Sequence, residues 1–204
     1  MSEEMNALAR AAVGDRIALP APRLAGTMSV EEALQCRRSH RDFAGTPLTL
    51  AEILQLLWSA YGLSSSKGLH TAPSAGAMYP LEVYLACAEG LFRYVPEGHA
   101  LEKTWGEDPR PALSAAVYDQ LFGAPVALVF AAVYERTTRR YGDRGIRYVH
   151  IDVGHAAQNV HLQAEALGLA SVPLGAFQDE AVAAAARLPE DQKAIYVIPV
   201  GRRA

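Results

Sequence analysis

The sequence predicts an α+β domain: a central, mostly antiparallel sheet surrounded by helices, with one long helix running through its middle. Three observations carry this. Residues 125–133 are continuously apolar, which fits a central strand buried on both faces. Apolar residues then recur at helical spacing across residues 144–167, enough for about six turns. The β-like runs 81–88 and 90–95 adjoin across turn residues, as an antiparallel pair does.

Taken in order, residues 1–26 mix Ala, Pro, Arg and Gly and read as a short helical start followed by an extended N-terminal arm. The remaining residues, 27–204, form one domain. Ser29, with Glu32 three residues on, is a capping box that opens a helix to about residue 38. Thr49 and Glu52 repeat the device. The helix they open carries Ile53, Leu54, Leu56, Leu57, Ala60 and Tyr61 and stops at Gly62. Residues 109–121 read as a helix. In the long helix, Ile146, Val149, Val153, Ala157, Val160, Ala164 and Leu167 form the stripe, and Gly168 is the expected C-terminal cap. Its other face is weakly polar, as in a helix central to a core or an oligomer interface. A short run at 170–176, a helix at 179–187 and a closing strand at 194–200 complete the chain.

Composition narrows the function classes. Of 204 residues, 50% are hydrophobic and 20% charged, with a net charge of −3, so wholesale binding to nucleic acid or an anionic membrane is not expected. The N-terminal residues hold no apolar leader-like core, and no apolar run is long enough to span a membrane. Cys36 and Cys87 match no zinc or redox spacing and read as buried thiols. A cytoplasmic protein is the expectation.

Three stretches stand out chemically. Arg37-Arg38-Ser39-His40-Arg41 packs three guanidinium forks and a hydroxyl into five residues, a donor set that matches phosphate oxygens. Alone it reads more readily as a solvated basic turn. Pro73-Ser74-Ala75-Gly76 is small enough for backbone to approach a flat ligand, and alone it is a plain turn. Val172-Pro173-Leu174-Gly175-Ala176 is apolar and rigid, and alone it is a buried connection. His150, Asp152 and His155 invite a metal reading. Only Asp152 and His155 share a helical face, however, and no fourth ligand is evident, so no metal is expected. His161 and His99 read as ordinary polar histidines. Nucleotide-binding glycine fingerprints, a phosphate loop and a nucleophile elbow are missing.

In combination, these stretches are more specific. The ordered set runs Arg37-Arg38-Ser39-x-Arg41-x-Phe43, Leu57-Trp58-x-Ala60-x-Gly62, Pro73-Ser74-Ala75-Gly76, Tyr141-Gly142-x-Arg144-Gly145-x-Arg147-Tyr148, Asp152-x-Gly154-His155-Ala156-Ala157-Gln158-Asn159, then Gly168-Leu169 and Pro199-Val200-Gly201. Over residues 17–201 the chain resembles the nitroreductase family of FMN enzymes, and within it the SagB-type dehydrogenase branch. The resemblance implies a nitroreductase-like fold and a homodimer with FMN sites at an interface built around the long helix. Arg37, Arg38 and Ser39 would hold the flavin phosphate and ribityl chain, with Arg202 as a further phosphate ligand. Arg41 would sit at the pyrimidine edge, where a cation raises electron affinity. Pro73, Ser74, Ala75 and Gly76 would come from the second subunit, and Pro173, Leu174 and Gly175 would line the ring near N5.

Three functions follow from the resemblance. The first is hydride transfer from NAD(P)H through FMN to a small-molecule acceptor such as a nitro compound or quinone. The second is azoline oxidation in a modified peptide. The third is flavin binding without turnover. Azoline-oxidising members of the branch use a Lys-Tyr pair. Here Arg140 stands in the lysine's place, and arginine stays protonated. Tyr141 remains as the catalytic acid or base.

Overall fold

The structure, a computed structural model, describes residues 3–204. In chain order the elements are α1 (Glu3–Arg10), β1 (Arg16–Ala18), α2 (Val30–Cys36), β2 (Phe43–Ala44), α3 (Leu50–Tyr61), a 3₁₀ turn (Ala75–Ala77), β3 (Leu81–Cys87), β4 (Gly90–Val95) and β5 (Ala100–Trp105). They continue with α4 (Arg110–Ala116), β6 (Val126–Ala132), α5 (Glu135–Tyr141), α6 (Arg144–Ala166), β7 (Leu169–Ser171), α7 (Asp179–Ala185) and β8 (Lys193–Arg203). The strands form one antiparallel sheet in the order β1-β5-β4-β3-β6-β8-β2, and β7 also pairs with β8.

Period-two alternation explains why this sheet is covered on both faces. In β6, Val126, Leu128, Phe130 and Ala132 enter a core built with α3 and α6, while Ala127, Val129 and Ala131 enter a second core built with α4 and α7. All seven β6 residues are buried, as a doubly covered strand requires. α3 supplies the most deeply buried helical face, including Leu56, Leu57 and Ala60. Truncating one such leucine to alanine costs about 2–5 kcal/mol.

Both capping boxes form. The Ser29 and Thr49 hydroxyls accept from the Glu32 and Glu52 amides, and each glutamate accepts from its cap residue's amide. Several boundaries differ from the sequence reading. α2 ends at Cys36, where Arg38 donates to the carbonyls of Gln35 and Arg37. α4 stops at Ala116 because Tyr118 and Asp119 turn into left-handed conformations. β8 runs on to Arg203, where β2 and β7 give it partners. β1, β2, β5 and α5 escaped prediction, and two of them are instructive. β5 carries Glu102 and Lys103, yet Lys103 is buried and donates to the Leu8 carbonyl while facing the Phe92 ring. α5 has no apolar stripe, and surface pairs such as Arg139–Glu135 support it instead. Cys36, expected to be buried, is exposed, while Cys87 lies in the core. In the 1–26 stretch, β1 pairs with β5 and Leu8 is fully buried.

Gly62 does end α3, for a different reason than helix capping by glycine normally supplies. Its φ of −68° suits any residue. A β-carbon there would lie 2.3 Å from Trp58 Cδ1 and 2.8 Å from the Trp58 carbonyl oxygen. Gly62→Ala is therefore expected to destabilise the fold by about 1–3 kcal/mol through overpacking, read as a lowered urea midpoint.

Candidate active site

The basic cluster is clipped to α6 and β7 by side chains and backbone together. Arg37 caps α2, and its guanidinium donates to Nε2 of His161 on α6 at 3.0 Å. Arginine offers only donors, so Nε2 must present a lone pair. The proton then sits on Nδ1, which donates to the Ser171 hydroxyl at 2.6 Å. The Ser171 carbonyl accepts the His40 amide at 3.1 Å. Four residues thus close a ring: Arg37, His161, Ser171 and His40. His161 is only 4% exposed, and burial, then the Arg37 charge, lowers its pKa to about 4.

Beyond Ser171 the chain leads directly to Pro173, Leu174 and Gly175. Leu174 exchanges two backbone hydrogen bonds with Val197 of β8, which fixes this stretch against the sheet. The first and third predicted stretches are therefore joined through Ser171, which holds His40 and leads into Pro173. Arg38, Ser39 and Arg41 are exposed around the clip. Among the described residues, no carboxylate comes within ion-pair distance of Arg37, Arg38 or Arg41. The Nε2 atom of His40 is buried there without a partner. Arg202 lies at the same end of the sheet, but its guanidinium binds Glu52 of the α3 cap at 3.0 Å.

The second stretch is held elsewhere on α6. The Ser74 hydroxyl donates to Asp152 Oδ2 at 2.6 Å and accepts from the Tyr79 amide. Asp152 is 3% exposed. Burial raises its pKa, opposed by Ser74 and the Ala75 amide. Gly76 follows at φ +59°, where a β-carbon would lie 2.4 Å from the Tyr141 hydroxyl and 3.3 Å from Arg140 Nη1. Only glycine satisfies both the backbone and the space. Arg140 and Tyr141 thus meet the 73–76 loop. His150 is bonded to the Tyr134 hydroxyl, and His155 is exposed.

Asp152 and His161 are nine residues apart, which is about 14 Å along the helix and about two and a half turns around it. The 37–41 stretch, through Arg37, is therefore tied to one edge of α6's buried stripe, and the 73–76 loop, through Ser74, to the other, while Leu174 packs in the second core beyond β8. Among the described residues, no side-chain hydrogen bond or ion pair joins the two groups. A cleft of about 690 Å³ follows the exposed face of α6 past Ile146, Arg147, His150 and Ile151. Another, of about 610 Å³, lies between residues 23–30, α3 and the far half of α6. It touches Trp58 and Asn159 from the motif set but none of the predicted site residues. The sequence reading passed over His161 and Ser171. The available signal was a histidine four residues beyond Ala157, on the buried side of the helix.

A model of the nitroreductase family matches residues 34–202. The chain belongs to the nitroreductase family. A Methanocaldococcus jannaschii protein provisionally named a nitroreductase is 42% identical over 199 residues, spanning 94% of this chain and 99% of its own. The crystal structure of a nitroreductase-family protein from Ralstonia eutropha superposes with a TM-score of 0.84 at 33% identity, covering 93% of this chain and 90% of that one. The microcin B17-processing protein McbC of Escherichia coli is 26% identical over 162 residues, 72% of this chain and 59% of its own length. A chain of the E. coli microcin synthetase McbBCD complex shares the fold, with a TM-score of 0.74 at 22% identity over 92% of this chain and 78% of that one. The nitroreductase assignment makes this chain a member of an oxidoreductase family and confirms the expected fold class. No described helix is long and apolar enough to cross a membrane.

Two outcomes follow. Ser74→Ala removes the donor to buried Asp152 and the acceptor for the Tyr79 amide, and should lower unfolding free energy by about 1–3 kcal/mol in urea titrations. His161 titrates near 6.5 when free and near 4 when folded, so the unfolded chain binds the extra proton first. Its contribution is complete above pH 6.5 and is lost as pH falls toward 4. The melting temperature of His161→Gln should therefore vary less than wild type across that window.

Proposed function

We propose that this chain is an FMN-dependent oxidoreductase that takes electrons from NAD(P)H and delivers them to a small acceptor such as a nitro compound or a quinone. The observation that carries the reading is the clip: three arginines within five residues lack carboxylate partners, and one of them is held by a neutral imidazole. That donor set, with the orphaned His40 nitrogen beside it, fits a phosphate monoester. Arg37, Arg38 and Ser39 would hold the phosphate and ribityl chain, and Arg41 would offer a cation to the ring. Arg202 would join them with the guanidinium donors that its Nη2 contact to Glu52 leaves over. Pro173, Leu174 and Gly175 would form an apolar wall. When bound, FMN would supply the hydride and electron chemistry that amino-acid side chains lack.

Residues 27–204 would form the flavin-binding domain, with 1–26 as an arm, working in the cytoplasm. The separation along α6 supports a homodimer in which the partner contributes Pro73, Ser74, Ala75 and Gly76. Ile146 and Ile151, at 45% and 46% exposure on α6, suit coverage by a second copy. Tyr141, held at Gly76, would donate or accept a proton at its hydroxyl. A second reading, dehydrogenation of a processed peptide, draws on the similarity to McbC. Arg140 weighs against it, because a guanidinium beside Tyr141 removes no proton.

The purified chain should sediment as a dimer, bind one FMN per chain and bleach anaerobically with NADH or NADPH. A protein that stays colourless after incubation with FMN overturns the proposal. Mixing an Arg37→Ala chain with a Gly76→Val chain tests the shared site. Neither alone should retain FMN, whereas random re-pairing should restore about a quarter of the sites, those with both halves intact.

A further inference from the structure

We propose that His161 is a positioning residue for the flavin phosphate, holding the Arg37 fork in place as a neutral Nδ1–H imidazole braced by Ser171. The proposal rests on the FMN reading above and adds a residue that touches no ligand itself. The geometry is directional. Nε2 faces the Arg37 guanidinium at 3.0 Å and Nδ1 faces the Ser171 hydroxyl at 2.6 Å, so both ring nitrogens are committed and only one tautomer serves. A long arginine side chain loses much rotamer freedom when fixed, and doing so before the ligand arrives removes that cost from binding. Ser171 also holds the His40 amide, so the same residue anchors both the side-chain and the backbone end of the loop.

The surroundings keep the imidazole neutral. The groups facing it are Arg37, His40, Glu165 one turn on, and Ser171. Burial and the Arg37 charge outweigh Glu165, whose carboxylate is itself bound to Arg203 at 2.6 Å. An imidazolium would repel Arg37 and leave it without an acceptor.

Two amides separate the ring nitrogens in a test on the full-length, flavin-stripped protein. His161→Gln keeps an acceptor near the position of Nε2, and His161→Asn keeps a group only near Nδ1. FMN and riboflavin, which differ by the phosphate, are titrated by flavin fluorescence. The Asn variant should lose on the order of 10-fold in FMN affinity while riboflavin binding changes little, and the Gln variant should recover most of the loss. Ser171→Ala, which leaves the Arg37 contact but removes its brace, should fall between them. Equal loss of both flavins in the Asn variant, or an unchanged FMN-to-riboflavin ratio, overturns the proposal. Wild-type protein that binds neither flavin overturns the FMN reading itself and the positioning role with it.

Discussion

α6 buries Asp152, His161 and Glu165 at 3%, 4% and 6% exposure among alanines and valines, and polar groups in such a setting must be bonded. Each takes its partner from a different part of the chain. Asp152 takes Ser74 from the loop before β3, His161 takes Arg37 and Ser171 from the ends of α2 and β7, and Glu165 takes Arg203 from the end of β8. Small residues on the helix let these segments approach closely. The loops around α6 are thus fixed by the obligations of the helix they surround, and the candidate site inherits its shape from them.

Charge is arranged locally against the net balance. The chain carries a net charge of −3, and among the described residues seven arginines are paired with carboxylates. Arg37, Arg38 and Arg41 are among the arginines without such a partner. On α5, Arg136 is tied to Glu82 and Arg139 to Glu135, while Arg140 lies against Gly76 with Tyr141. Cations that ordinary surface pairing would neutralise remain available where the fold brings the motif stretches to the surface.

What the sequence made legible was local. The capping boxes at Ser29 and Thr49 use partners three residues away, and the stripes of α3 and α6 are periodic, so both could be read directly. The unbroken apolar run of β6 implied two covered faces, and two cores cover them. What stayed hidden depends on distant partners. β5 is a strand because β4 and β1 lie beside it, and its Lys103 is tolerated because the Leu8 carbonyl meets it. His161 looked ordinary because its partners are 124 and 10 residues away. The basic cluster was visible, but its clip was not. Nothing in Arg202 alone disclosed that Glu52 would engage it.

The half-integral turn count between Asp152 and His161 bears on how such a protein behaves as a population. In the proposed homodimer, the wall at residues 73–76 would come from a second copy. Ligand occupancy would then be linked to assembly by mass action: dilution would separate the walls and empty the pocket, while ligand in excess would hold the copies together. Cofactor supply and chain abundance would act as one combined variable, and a cell making little of this chain would hold disproportionately little of it in loaded form.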